Sequence, residues 1–546
     1  MEFDMHIARR GFLKAVAGTC LLGGCKTRGA FAGTAREKVP YRVLFSNDIT
    51  NILSCPSPFK KRGEPFRETD LRASVAETAG QGIDAHLLQP GLCWVPWWRS
   101  EVLPMARHAA WLNARGQKAG SFETYVLNGG DPVRVFIDAC RTCGEAPFVS
   151  FRVNDAHHIF RGSKAKPADR EKAMTEFQFF ADHPEWRLCP DLGPVMRYQF
   201  DWAQPGVRAY KLALIEELCD RYDFDGLELD FMRHVIYFSP KRTTAEQRRA
   251  IQTGFVRDVR RILDRRRVQG KRRWLCVRIP SDLSQHDGMG IDLPSFAAAG
   301  VDMVNASGYY FTDGQMPIAA MRRALPERVA LYAEIHFAVA TTQRVPSPDG
   351  KSFFSAHRRT TPEEIYTVAH QTYEQGGNGV SAFNFQYYRG TYNPSDVYGK
   401  SAEPPYGVFA HLGDRAWVAR QPQHYVVGTG RWGGGLVAKL GVTVTQTLFM
   451  SPPTQGWKKA GRLRIQSAQS LGDSRWAAAV NGVALESVGD VSEPYPNPYA
   501  VGLGEADDFR AWTVPVSALR KGDNAIAVTL KAGAESKITF MDLALG

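Results

Sequence analysis

The sequence predicts a TIM-type (β/α)8 barrel followed by an antiparallel β-sandwich. Eight strand-like segments are separated mostly by amphipathic helical stretches, and nearly every one ends in polar residues at its carboxyl end. From about residue 423 the texture changes to short alternating strands divided by Gly, Pro and Asn turns. The 546 residues, 44% of them hydrophobic, are ample for two cores.

The barrel strands are expected at 41–47, 83–89, 147–154, 224–233, 274–279, 301–307, 329–337 and 379–386. Helical periodicity runs through 69–79, 101–114, 206–221, 244–266 and 361–375. The fourth strand is the most informative. In Asp225-Gly226-Leu227-Glu228-Leu229-Asp230-Phe231, alternation sends the apolar residues to one face and Glu228 and Asp230 to the other. Carboxylates at i and i+2 lie roughly 6–7 Å apart, and burying both costs several kcal/mol unless cations, protons or ligand hydroxyls compensate.

The carboxyl rim of such barrels carries the active site. Here it offers Asn47 and Asp48; His86 and Gln89; Arg152, Asn154, Asp155, His157 and His158; then Glu228, Asp230, Arg233 and His234. The later strands add Arg278 and Asp282; Asn305, Ser307 and Tyr309; Glu334 and His336; and Asn384 and Gln386. A core would not hold so many polar groups, so a polar ligand is expected. Trp94, Trp97 and Trp98 follow the second strand, Tyr309-Tyr310-Phe311 the sixth, and Phe383, Phe385, Tyr387 and Tyr388 surround the eighth. Flat rings beside hydroxyl-pairing groups suit a sugar.

Phe148-Val149-Ser150-Phe151-Arg152-Val153-Asn154-Asp155, His183-Pro184-Glu185-Trp186 and Asp225-Gly226-Leu227-Glu228-Leu229-Asp230 together resemble the bacterial glycosyl hydrolase-like, or family 10-like, barrel proteins across roughly 41–388. The resemblance implies hydrolysis of glycosidic bonds in an extracellular or periplasmic polysaccharide or oligosaccharide. The fourth strand also resembles the chitinase-type Asp-Gly-x-Asp-x-Asp-x-Glu signature. Asp225, Gly226 and Asp230 match it, Glu228 replaces an Asp, and Met232 stands where that signature has its catalytic Glu, which argues against a chitinase mechanism.

Glycosidases generally use one carboxylic acid and one carboxylate. Glu228 or Asp230 supplies one of them. Glu334 is the candidate for the other, on the strand placement that the resemblance implies, with Asp282 in reserve. Arg152, Asn154, His157, Arg278, Asn305, Tyr309, His336, Asn384, Trp97 and Trp98 are the expected substrate-binding residues. No cofactor is expected. No metal is either, since the adjacent His157 and His158 point in opposite directions on an extended segment, unlike an i, i+4 helical pair.

Ala8-Arg9-Arg10-Gly11-Phe12-Leu13-Lys14 matches a twin-arginine export pattern, and the apolar run after it is too short to span a bilayer. Leu22-Gly23-Gly24-Cys25 resembles a lipobox that would lipidate Cys25, and Ala30-Phe31-Ala32 resembles an ordinary cleavage site; both readings stay open. The expected organisation is a leader over 1–32, a barrel over 41–400 and a galactose-binding-like sandwich over 423–546, in a periplasmic or lipid-anchored protein. Of nine cysteines, seven lie beyond the leader, an odd number that reads as packing residues rather than a disulfide framework.

The net charge is +12, of which the leader contributes +3 from five basic and two acidic residues, leaving +9. Much of the excess falls on 241–273, a solvated outer helix. This basicity is compatible with an anionic glycan, whereas export and the lack of a binding motif exclude nucleic acid. The sandwich either braces the barrel or binds carbohydrate. A catalytically silent glycan-binding lipoprotein is the alternative to a hydrolase, kept open by Met232, and a polysaccharide lyase is a more remote one.

Overall fold

Eight parallel strands close into a barrel in the order 1-8-7-6-5-4-3-2. They are β1 (Val43–Asn47), β2 (Ala85–Leu88), β3 (Ala146–Arg152), β4 (Gly226–Asp230), β5 (Trp274–Pro280), β6 (Met303–Ser307), β7 (Ala330–His336) and β8 (Gly379–Phe383). The structure is a computed structural model that describes residues 38–546 apart from 93, 159–177, 189–191, 193–197, 269, 347–352, 393–401, 430–434, 468 and 500–502. The expected leader over 1–32, with the twin-arginine-like pattern and Cys25, lies outside the described residues. Every expected barrel strand is found, most of them shorter by one to five residues, some at the amino end and others where polar rim residues leave the ladder.

The helices form where local chemistry allows their ends to be closed. The 21-residue helix Ala245–Arg265 opens with a reciprocal Thr244–Gln247 capping box, and Pro362–Glu374 opens with Thr361–Glu364 and a proline in its first turn. Pro132–Cys143 starts on Asp131, which accepts from the Arg134 N–H, and stops at Gly144 with φ of 75°. Its Cys140 is buried, and no disulfide joins the described cysteines. No described helix is long and apolar enough to cross a membrane.

Strand parity builds the barrel interior in layers. Leu44, Phe148, Cys276, Met303 and Tyr332 form an apolar floor. Two glycines let strands approach there: a Cβ on Gly226 would lie 2.1 Å from the Phe148 ring, and one on Gly379 would lie 2.1 Å from the Arg42 carbonyl oxygen. Above this floor the interior turns polar. Register places Ser150 beside Glu228, and Arg152, Asp230 and Arg278 side by side on β3, β4 and β5.

Ten further strands make the C-terminal sandwich: β9 (Gln423–Gly428), β10 (Leu436–Ala438), β11 (Thr443–Met450), β12 (Gly461–Ser467), β13 (Arg475–Val480), β14 (Val483–Ala484), β15 (Glu486–Val488), β16 (Phe509–Val514), β17 (Gly522–Ala532) and β18 (Ser536–Leu545). One sheet runs β9-β18-β12-β16-β15 with β10 also on β18, and the other runs β11-β17-β13-β14. Leu463, Ile465, Trp512, Val528 and Leu543 fill the space between them. Asn481-Gly482, with φ of 50° and 83°, turns β13 into β14 as an Asn-Gly hairpin should.

The sandwich is bonded to the helix Pro362–Glu374, which precedes β8. The His424 N–H donates to Thr367 at 2.7 Å, Gln371 donates to the Phe449 carbonyl at 2.5 Å, and Lys521 pairs with Glu374 at 2.6 Å. A largely buried chain of paired side chains, His424, Asp542, Arg464, Glu493 and Arg358, continues from the sandwich to the hairpin formed by Ala338–Pro346 and Phe353–Arg359. Three sandwich aromatics are engaged in contacts within the protein: Trp476 lies against the sandwich core, Tyr495 donates to the Leu545 carbonyl, and Tyr499 packs on Tyr388 at 5.1 Å. These contacts fit the bracing role.

Candidate active site

The row Arg152, Asp230, Arg278 sits at the carboxyl end of the barrel, and its centre is Arg278. That guanidinium is 2% exposed. It donates to Asp230 Oδ1 at 3.0 Å, grips Glu334 with two bonds at 2.6 and 2.7 Å, and reaches Ser307 at 3.3 Å. Burial disfavours its charge, but Glu334 and Asp230 outweigh that and raise its pKa. The acids of the fourth and seventh strands therefore do meet, on different edges of one cation.

Environment divides the carboxyls. Glu334 is pushed up by burial, yet Arg278 and then His336, at 2.8 Å, bring it down to about 2. It also accepts from Ser307 at 2.5 Å and Asn305 at 3.1 Å. Glu228, one layer deeper, is raised to about 7 by burial, with Arg278 opposing and Asp230 reinforcing the shift. Its neighbours are weak compensators: the Ser150 hydroxyl at 2.7 Å, Asn305 at 3.3 Å and the Cys276 thiol at 3.6 Å. Asp230 uses only Oδ1, for Arg278 and for the Met232 N–H at 2.8 Å; Oδ2 makes no hydrogen bond among the described residues. One group keeps its proton near neutrality, one is fixed as an anion, and one offers an open oxygen.

A second cluster rings the mouth. Arg152 pairs with Asp48, and with Asp155 at 2.9 Å. Asp155 accepts from His157 Nδ1 at 2.5 Å, and His157 Nε2 accepts from Arg233 at 2.6 Å, which makes His157 a neutral ring protonated on Nδ1. Burial lowers the His157 pKa against the pull of Asp155. Asn384 donates to Asp48 at 3.0 Å and accepts from its backbone N–H at 2.8 Å, tying the eighth strand to the first. Four non-glycine residues with φ between 57° and 70° follow the even strands: Trp94 after β2, His234 after β4, Tyr309 after β6 and Asn384 after β8. Such strain gathers where a site over-determines its backbone.

Several expected binding residues take other roles. Trp97 and Trp98 are 3% and 1% exposed and turn back into the helix layer. Trp97 stacks on Phe122 at 4.4 Å, and Trp98 donates to Glu217 at 2.8 Å, so neither presents a face to a sugar. Asn154 is wholly buried and holds the loop after β4 by donating to the His234 and Ile236 carbonyls at 2.8 and 3.0 Å. His86 points outward, between Phe45 and Phe136, and Asp282 is an exposed N-cap that accepts from the Ser284 N–H. Asn305 and His336 orient the acids from within the barrel. Tyr309 remains half-buried at the rim, beside Gln285. Ser307, expected at the rim, and Ser150 and Ser381, which the sequence did not single out, belong to the polar interior. Their inward parity is the signal that could have found them.

Among the described residues, two groups bring three potential metal-ligand atoms within 4.8 Å. His86, Cys140 and Glu145 lie in the packed layer outside the barrel. Asp155, His157 and His234 lie at the mouth, but His157 already accepts from Arg233, and His234 Nδ1 accepts from the Ala156 N–H at 3.0 Å. Both imidazole lone pairs are thus in use, and the donor set does not fit a resident cation.

No protein-family model and no curated protein matches the chain. Among solved structures, a noncanonic maltogenic alpha-amylase from Thermotoga neapolitana shares 12% identity at a TM-score of 0.37, covering 91% of this chain and 98% of that one. Alpha-L-fucosidase isoenzyme 1 from Paenibacillus thiaminolyticus shares 12% at 0.34, covering 90% and 97%. A cycloisomaltooligosaccharide glucanotransferase from Paenibacillus sp. shares 11% at 0.33; the match takes in 93% of this chain but only 57% of that one. At such scores the reaction has to be argued from the side chains.

Proposed function

We propose that the protein is an exported glycoside hydrolase that cleaves a polysaccharide or oligosaccharide with paired carboxyl groups. The observation that carries this is the division of the barrel-end acids: Glu228 holds a proton up to about pH 7, while Asp230 presents an unengaged oxygen two residues later. In this reading Asp230 attacks the anomeric carbon or activates water. Glu228 supplies the proton for the leaving oxygen. Glu334, held ionised by Arg278, cannot donate a proton near neutrality and serves instead to fix Arg278 and stabilise developing positive charge on the sugar. This reassigns Glu334 from reacting acid to electrostatic partner. The leader motif supports delivery to the cell envelope.

A second reading, glycan binding without turnover, draws on one specific observation. Glu228, Asp230 and Glu334 are 1%, 3% and 1% exposed, and Arg278 claims two of them. New reducing ends should be followed on a panel of neutral and acidic polysaccharides, with Asp230→Asn as control. Release that the control lowers by about 10³-fold or more supports the hydrolase. Binding without release across the panel supports the silent reading, and equal release by both proteins removes Asp230 from the chemistry.

A further inference from the structure

The three arginines at the mouth do not share their counter-ions equally. Arg152 has Asp48 and Asp155, and Arg278 has Asp230 and Glu334. Arg233 is 8% exposed and, among the described residues, has no carboxylate within hydrogen-bonding distance. Its nearest acid oxygen, Oδ2 of Asp48, is 4.0 Å away and already accepts from Asn384. Its two hydrogen-bond partners among the described residues are neutral: the Tyr310 hydroxyl, and His157 Nε2 at 2.6 Å. Its Nε–H has no partner among the described residues. Burial, and then Arg152, lower the Arg233 pKa more than the more distant Asp48, Asp155 and Asp230 raise it, whereas the pKa values of Arg152 and Arg278 are raised. A buried guanidinium without its own anion is costly.

The surroundings hold this cation in position for a ligand. The Asp155–His157–Arg233 chain fixes one terminal nitrogen, and Tyr310, whose ring centroid lies 5.2 Å from the guanidinium carbon, fixes the other. His157 and Tyr310 are themselves partly exposed, so the cluster opens to the rim. Arg233 stands three residues beyond Asp230, beside the proposed reacting carboxylate. The geometry points to Arg233 as the receptor for an oxyanion substituent, a carboxylate or a sulfate ester, on the sugar that this site takes. This inference rests on the carbohydrate reading above and narrows its substrate class to acidic glycans. Guanidinium forks match both oxyanions.

The test has two arms, each comparing the full chain with Arg233→Met and Arg233→Lys. In the first, melting midpoints are recorded in sodium sulfate and in sodium chloride at equal ionic strength. A sulfate-specific rise in the wild type that is lost in the Met variant and partly kept in the Lys variant supports the inference; equal rises in all three overturn it. In the second, calorimetry measures binding of oligogalacturonate, sulfated galactan oligosaccharide and neutral laminarin oligosaccharide. The wild type should prefer one acidic probe by about tenfold or more, identifying carboxylate or sulfate, and Arg233→Met should erase that preference. Preference for the neutral probe, unchanged in the variant, overturns the oxyanion assignment and leaves the carbohydrate reading intact. A sulfate-specific rise without binding of any glycan leaves Arg233 as an anion receptor and overturns the carbohydrate reading.

Discussion

Arg278→Gln is the perturbation that most directly tests the buried charge row. The substitution keeps a polar side chain but removes the cation that holds Glu334 and Asp230. Removing one partner of a buried ion pair costs about 3–5 kcal/mol because the other charge is left uncompensated. An independent route gives a similar figure: bringing Glu334 from 4.5 to about 2 corresponds to roughly 3 kcal/mol of preference for its ionised form, at about 1.4 kcal/mol per tenfold change. The pH dependence follows from the sign. In the wild type the folded pKa of Glu334 lies below the unfolded one, so its contribution is present above about pH 4.5 and is lost as pH falls towards 2. In the variant, burial without Arg278 raises the same carboxyl, which can then protonate in mildly acidic solution. The destabilisation should therefore be about 3–5 kcal/mol at pH 7.5 and clearly smaller at pH 5, as measured by urea unfolding at both pH values. An identical loss at the two pH values would show that Arg278 acts by packing alone, and the electrostatic account of the row would fail.

Two further substitutions separate function from scaffold. Glu228→Gln removes a group whose folded pKa is raised: the native state holds a proton that the unfolded chain has released, so the wild type loses stability as pH rises from about 4.5 through about 7. The variant should escape roughly 3 kcal/mol of that loss at pH 8 while losing turnover, so it should be at least as stable as the wild type there, and parallel stability–pH curves would refute this. Trp98→Phe removes the indole bond to Glu217 and should cost about 1 kcal/mol in urea unfolding without changing glycan affinity; a large affinity loss would return Trp98 to the site.

The barrel was legible because strand period and helix period alternate along the chain, and the site because parity on a single strand puts Glu228 and Asp230 inward. What misled was the end of parity. β3 stops at Arg152, so Asn154, although it has the inward parity, follows the loop and bonds the backbone after β4. Trp94 takes φ of 68°, and after it Trp97 and Trp98 double back into the helix layer, which no aromatic count could foresee. On β2 both parities are defensible from sequence; only the floor formed with Ala85 and Leu87 shows that His86 faces out. The pairing of Arg278 with Glu334 spans 56 residues, and nothing local encodes it.

A TIM barrel is ordinarily filled by layers of branched apolar side chains, and this one does so only at its floor. Above it, Ser150, Glu228, Asn305, Ser381, Arg278 and Glu334 occupy positions that Val, Ile or Leu would fill at no electrostatic cost. Buried ion pairs seldom stabilise a fold better than well-packed apolar residues do. Folding alone therefore does not account for this interior. Glu228 with its raised pKa, the half-bonded Asp230 and Arg233, whose nearest described carboxylate oxygen is 4.0 Å away, are each out of balance in the free protein, and each is of the kind that a bound ligand would correct: a proton to give, an oxygen to use and a cation to neutralise. All three lie on β4 or within three residues of its end, so a single strand carries the imbalance that the proposed chemistry requires.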